Sequence, residues 1–199
     1  MINKDELEDL YKSGKSMSDI SKILNCSPHK IVYWMKKYNL ERRTRSEAGY
    51  IQQNPDGDPF KIRTKLNDKQ MFLFGLGLGI YWGEGTKKSK HSLRVTNTDP
   101  EIIKYFIKFL LEICQLKKEK ISFSLISFND IKEETARNYW AKQLQISPQK
   151  FGKITIIPSQ GKGTYKLKSQ FGVCTVHANN IKLRNWLFSE LDKLKNKPD

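Results

Sequence analysis

The chain has 199 residues, with 36 Lys and Arg against 21 Asp and Glu and a formal charge of +15. Its 38% hydrophobic content, with aromatics throughout, is enough to pack a core and excludes a disordered basic tail. An excess of positive charge on this scale points to a polyanionic partner, nucleic acid ahead of a membrane surface.

The opening MINKDELEDL is polar and acidic, unlike a signal peptide. The longest apolar run, 71–83, falls short of the ~20 residues that span a bilayer. The expected location is the cytoplasm, nucleoid-associated if the source is bacterial, with no membrane partner. Cys26, Cys114 and Cys174 are odd in number and far apart, so no disulfide framework is implied. Cys26–His29 and Cys174–His177 each form C-x-x-H. The second pair is expected on a strand, where an odd separation points side chains to opposite faces and disfavours a shared zinc site.

Residues 4–40 read as three short helices. DELEDLYKSG sets Leu7, Leu10 and Tyr11 on one side and ends at Gly14. SMSDISKILN has Ser16 as cap, Asp19 at the capping-box position and an Ile20, Ile23, Leu24 stripe. SPHKIVYWMKKYNL is capped by Ser27, starts at Pro28 and sets Ile31, Trp34, Met35 and Tyr38 on one face. Its opposite face carries His29, Tyr33 and Lys36, flanked by Lys30, Val32 and Lys37. These are hydrogen-bonding, cationic and apolar groups suited to a DNA groove. Two short helices, a tight turn at 25–27 and a basic third helix resemble a helix-turn-helix of the resolvase or homeodomain-like kind. That resemblance implies that the third helix is the recognition helix. Arg42, Arg43 and Arg45 follow, either as an arm gripping phosphates or entering a minor groove, or as an exposed linker. QQNPDGDP is the clearest boundary. The expected organisation is a DNA-binding domain with basic arm over 1–50, a linker over 51–66 and a second domain over 67–199.

GLGLGIYWGEG, residues 75–85, holds five glycines and one charge, Glu84. Glycine is a poor former of both helix and strand. Gly75, Gly79 and Gly83 nevertheless fall at i, i+4 and i+8, one face of a helix, where a bare stripe lets another backbone approach closely. Phe72, Phe74, Leu76, Leu78, Ile80 and Tyr81 are then left to fill a core. Glu84 sits at the C-terminal end, where the helix dipole disfavours an acid. It calls for a cation: a divalent metal, or a Lys or Arg such as Lys87 or Lys88. Two such helices side by side would bring two carboxylates together to hold metal at a shared cleft.

Beyond the basic turn TKKSKHS, LRVTN reads as a strand and TDPEIIKYFIKFLLEI as a helix capped by Asp99. KISFSLISF is a strand and DIKEETARNYWAKQLQI a helix. KITIIPS and TYKLKSQFGVCTVHA read as strands around a QGKG turn, and NNIKLRNWLFSELDKLK closes as a helix. Lys166, Lys168 and Gln170 alternate with Tyr165, Leu167, Ser169 and Phe171. That face suits DNA, with lysines on phosphates and Gln170 on a base, or is the ordinary solvated face of a half-buried sheet. Arg94 and Lys153 are candidates to join it. SQGKGTYK has Gly163 where a phosphate loop needs Ser or Thr after Lys162, so it reads as a hairpin tip.

GLGIYWGEG, residues 77–85, resembles the nine-residue LAGLIDADG motif of homing endonucleases. Gly85 matches the last glycine, Glu84 the final acid, Gly79 the central glycine and Gly83 the small residue before the acid. Trp82 stands where the family often has another Asp, and Gly77 and Tyr81 replace its usual aliphatics. The resemblance, over roughly 68–195, implies an α+β fold with an antiparallel sheet saddle and helices. With a single motif it implies a homodimer whose Gly75, Gly79 and Gly83 faces meet, and Glu84 as the catalytic ligand of Mg²⁺ or Mn²⁺. The expected function is that of a divalent-metal-dependent, site-specific endonuclease of double-stranded DNA. The alternative is a non-catalytic transcriptional regulator that combines the same two domains. An RNA-binding reading lacks an aromatic RNA-recognition signature.

Overall fold

The computed structural model describes residues 2–89, 91–158 and 169–196. The chain divides into two compact units, Met1–Pro59 and Phe60–Asp199.

The first unit contains α1 (Lys4–Lys12), α2 (Met17–Ile23), α3 (Pro28–Lys37) and α4 (Arg45–Gln53). Side-chain caps set where the helices begin. Asn3 accepts from the Asp5 and Glu6 N–H groups, Ser16 and Asp19 form a capping box, and Ser27 accepts from the Lys30 N–H ahead of Pro28. Leu7, Ile20, Ile31, Trp34 and Met35 bury together with Ile2. Ile23, expected in the α2 stripe, faces outward instead. The turn into α3 runs through Asn25 at φ 45°, and the Cys26 N–H donates to the Ser21 carbonyl at 2.9 Å.

The arm and linker read from the sequence are more ordered than expected. Residues 45–53 form α4, whose capping box joins Thr44 to Glu47. Residues 51–53 therefore close a helix. At the other end of the expected linker, the Lys61 and Arg63 N–H groups donate to the Cys114 and Ile113 carbonyls at 3.0 and 2.9 Å. Phe60, Ile62 and Leu66 pack on the core of the second unit. Their alternating apolar side chains tie this stretch down.

The second unit is α+β. It runs α5 (Asp68–Glu84), β1 (Leu93–Asn97), α6 (Pro100–Glu112), β2 (Ile121–Phe128), α7 (Glu133–Leu144), β3 (Thr155–Ile157), β4 (Val173–Ala178) and α8 (Ile181–Lys195). The four strands form one sheet in the order β1-β4-β2-β3. β4 lies antiparallel to both β1 and β2, but β3 runs parallel to β2. The sheet is thus mixed, not wholly antiparallel, because the connection from β2 crosses over through α7 before β3 begins.

Strand alternation places Leu93, Val95, Ile121, Leu125, Cys174 and Val176 on the buried face, against Leu78 and Tyr81 of α5, Phe106 and Phe109 of α6, and Leu183 and Leu187 of α8. The Tyr81 and Phe106 rings stack at 6.0 Å between centroids. A Cβ on Gly77 would lie 2.3 Å from the Phe109 ring, so this glycine lets α5 and α6 approach. Of the strand expected over 164–178, residues 164–168 lie outside the described residues, and β4 begins at Val173 rather than running through 169–172. A turn at 170–171 precedes Gly172, whose φ of 72° breaks the alternation. The Phe171 ring stacks on Tyr139 at 3.8 Å, and its carbonyl accepts from Trp140 Nε1 at 2.9 Å.

Candidate nucleic-acid interface

Charge is unevenly shared. Residues 1–59 hold ten Lys and Arg against nine Asp and Glu, a net of +1. Residues 60–199 hold 26 against twelve, a net of +14. The polyanion signal of the whole chain therefore lies almost entirely in the second unit.

Within the near-neutral first unit, α3 carries three of the ten Lys and Arg, Lys30, Lys36 and Lys37, and no Asp or Glu. His29, Lys30, Tyr33, Lys36 and Lys37 are all exposed, while Ile31, Trp34 and Met35 anchor the helix in the core. Tyr33 is 59% exposed and meets Trp34 edge-on at 5.6 Å. Lys37 Nζ lies 4.7 Å from the Trp34 ring centroid, a cation–π contact that leaves the charge at the surface. Arg42 and Arg45 are exposed. Arg43 is engaged within its own unit: its guanidinium stacks on the Tyr11 ring at 4.0 Å and donates to the Lys15 carbonyl at 3.1 Å. The Arg43 backbone N–H donates to the Tyr11 hydroxyl at 2.7 Å. Of the three arginines it is the one held back from a phosphate.

In the second unit, α5 presents two opposite faces. Leu73, Leu78 and Tyr81 are buried, and Phe74, Leu76 and Ile80 half-buried. Phe72, expected in the core, is 68% exposed because it shares the face of Gly75, Gly79 and Gly83. A Cβ at any of those three glycines would meet nothing within 4 Å. Trp82 at 51% and Met71 at 56% exposure flank the stripe. Among the described residues the stripe is thus bare and without a partner.

Glu84 is the last residue of α5 and is exposed. Lys87 does not pair with it. Its Nζ donates instead to the Trp82 carbonyl at 2.5 Å, a helix carbonyl left open at the C-terminus. The loop after α5 is fixed by the Tyr81 hydroxyl, which donates to the Thr86 carbonyl at 3.0 Å, and by Arg184 Nε, which donates to the Ser89 carbonyl at 2.5 Å. Among the described residues, no three of His, Cys, Asp and Glu gather as a metal site. A divalent ion takes six or more oxygen ligands, so one Glu84 is an incomplete donor set without a second carboxylate.

The sheet face opposite the core carries polar rows that the sequence did not align. Arg94, His177 and Ser122 pair across β1, β4 and β2, and Thr96, Thr175 and Ser124 pair one step along. The Thr96 and Thr175 hydroxyls lie 2.8 Å apart. Arg94 Nε donates to Ser92 Oγ at 3.0 Å, which orients the guanidinium. Burial, and then the Arg94 charge, hold the His177 imidazole below its ordinary pKa. Guanidinium, imidazole and hydroxyl groups in rows can bond phosphates and base edges. Period-2 polar positions in LRVTN, ISFSL and VCTVH were visible, but their register depends on strands far apart in sequence. Gln170 lies exposed in the turn before β4 and not on a strand, and Lys166 and Lys168 lie outside the described residues. Lys153 is exposed ahead of β3.

Cys174 is buried and its thiol is pushed up to about 12 by that burial, while His177 is half-buried on the opposite face of β4. Among the described residues no helix is long and apolar enough to cross a membrane. Comparison with protein-family models, with curated proteins and with solved structures finds no match.

Proposed function

We propose that this chain binds double-stranded DNA and cuts it as a homodimeric, divalent-metal-dependent endonuclease of the LAGLIDADG type. The observation that carries the reading is α5: a bare glycine face flanked by exposed Phe72 and Trp82, with a lone carboxylate, Glu84, at its end. An apolar face of this kind is a contact surface in search of a partner. A second copy of α5, related by a two-fold axis, would cover it and bring a second Glu84 beside the first. Mg²⁺ or Mn²⁺ held between them would polarise a phosphodiester and activate water. The chain's own part is to hold the duplex. The Arg94 and threonine rows would sit against it, and α3 with Arg42 and Arg45 would add a second contact in the manner of a helix-turn-helix.

Incubation of a randomised duplex library with the purified chain and Mg²⁺ or Mn²⁺, beside an EDTA control, tests the reading. Cuts should require metal and should vanish in Glu84→Gln, whose DNA affinity stays within about twofold of the original. Cleavage unchanged by Glu84→Gln removes this carboxylate from the reaction. A second reading, a regulator that binds without cutting, draws support from the first unit. Its α3 face stands on a separate core, an arrangement suited to reading an operator. Specific retention of DNA without any cut would select it.

A further inference from the structure

The second unit carries a hollow with the lining of a small-molecule site. It measures about 410 Å³ and opens between α6, α7 and β2. Its wall is Ile107 and Leu111 of α6, Phe123 of β2, and Leu144 with Ile146 at the end of α7. These side chains are half-buried and packed against the core, so the hollow is an extension of the core that the chain leaves unfilled. Phe123 is held in place by an edge contact with Phe151 at 5.9 Å. Lys118, Glu119 and Lys150 stand at the rim. Both lysines belong to short 3₁₀ turns, at Lys118–Lys120 and Pro148–Phe151, and all three rim residues are exposed. Their side chains make no ion pair or hydrogen bond among the described residues. Two further hollows carry more polar and charged groups in their walls, Asn67, Asp68, Lys69, Gln70, Lys108 and Glu112 beside Phe72, Leu73 and Tyr105 in one, and Ser13, Lys15, Ser16, Asp19 and Arg43 beside Ala48 and Ile51 in the other.

An apolar hollow of this size with few polar groups at its edge is what binds small organic ligands. The rim decides the head group: two lysines outweigh one glutamate, so an anion is favoured over a cation or a neutral group. From this we infer that the hollow binds a free medium-chain carboxylate, its hydrocarbon tail on Ile107, Leu111, Phe123, Leu144 and Ile146 and its carboxylate between Lys118 and Lys150. A membrane surface is a poorer fit, because the apolar groups line a concavity and do not project. This site is independent of Glu84, of the α5 stripe and of the polar sheet face, and does not depend on the DNA reading.

Calorimetric titration of the full chain with decanoate, decylamine and 1-decanol, each below its micellar concentration, tests the assignment. Decanoate should bind one per chain and at least tenfold more tightly than decylamine. The surface variant Lys118→Glu/Lys150→Glu should reverse that preference while leaving the circular dichroism spectrum unchanged. Ile146→Trp, which fills the hollow, should abolish binding of all three ligands. Absence of decanoate binding, equal affinity for the three head groups, a stoichiometry above one, or undiminished binding to the double variant each overturns it.

Discussion

Two glycines two residues apart in α5 do opposite jobs. Gly77 faces Phe109, and a methyl group there would lie 2.3 Å from the ring. Gly79 faces open space. Gly77→Ala therefore overpacks the α5–α6 contact and should cost about 1–3 kcal/mol. Gly79→Ala meets no obstacle and should gain up to about 1 kcal/mol from helix propensity. Urea midpoints measured at low protein concentration check both, and the reverse order would mean that the stripe is the packed face. Gly79→Leu should leave the monomer folded yet abolish, in sedimentation velocity, the self-association proposed through this stripe. The glycine spacing was legible in the sequence. The packing role of Gly77 was not, because it depends on where Phe109, thirty-two residues on, sets its ring.

His177 belongs to the same scale. Its folded-state pKa lies below the ordinary imidazole value of 6.5 because of burial and then Arg94. The folded state thus resists a proton that the unfolded chain accepts. The resulting stability is present in full above about pH 6.5 and declines as the pH falls below it. His177→Gln should flatten the slope of unfolding free energy against pH between about 5 and 6.5. An unaltered slope in that variant would assign the acid sensitivity to other groups.

At the scale of elements, local chemistry was the most readable. Ser16, Ser27 and Asp99 cap the helices they were expected to cap. α4 escaped notice because it has no buried residue to give an apolar period and carries Gly49. Its Thr44-x-x-Glu47 box was nevertheless in plain view and is the signal that finds it. The strand through Gln170 was misread for a different reason. The sequence alternation continues across 165–171, but contacts from another element pin a turn at 170–171. Trp140 of α7 donates its indole N–H to the Phe171 carbonyl, and Tyr139 stacks on the Phe171 ring. Nothing local to TYKLKSQF announces those partners. Trp140→Phe keeps an aromatic ring in the core but leaves that carbonyl without its donor. It should cost about 1 kcal/mol for the bond, with more from imperfect filling of the indole's space. Thermal unfolding checks this, and an unchanged midpoint would mean that the turn is held by the ring stack alone.

For the whole molecule, the charge partition decides how DNA would be held. The first unit is near neutral because the acidic α1 offsets α3, and the second unit carries +14. Composition alone showed a basic chain, but the unit boundary was needed to assign the charge. Each phosphate neutralised contributes about 0.9 to the slope of log K against log salt concentration. Lys36→Gln with Lys37→Gln removes two charges from α3, so it should flatten that slope by at most about 2. If the second unit supplies most phosphate contacts, a substantial slope remains. Arg94→Gln on the sheet should flatten it by about 1 more, and the two changes add where the two sites act independently. Fluorescence anisotropy of a labelled duplex at 50–300 mM salt measures both variants and their combination against the parent chain. A slope that collapses in the α3 variant would place the phosphate grip on the first unit and leave the +14 of the second without a role in DNA binding. A slope that persists there and falls with Arg94→Gln would place the duplex across the sheet, with α3 contributing base contacts that salt weakens less.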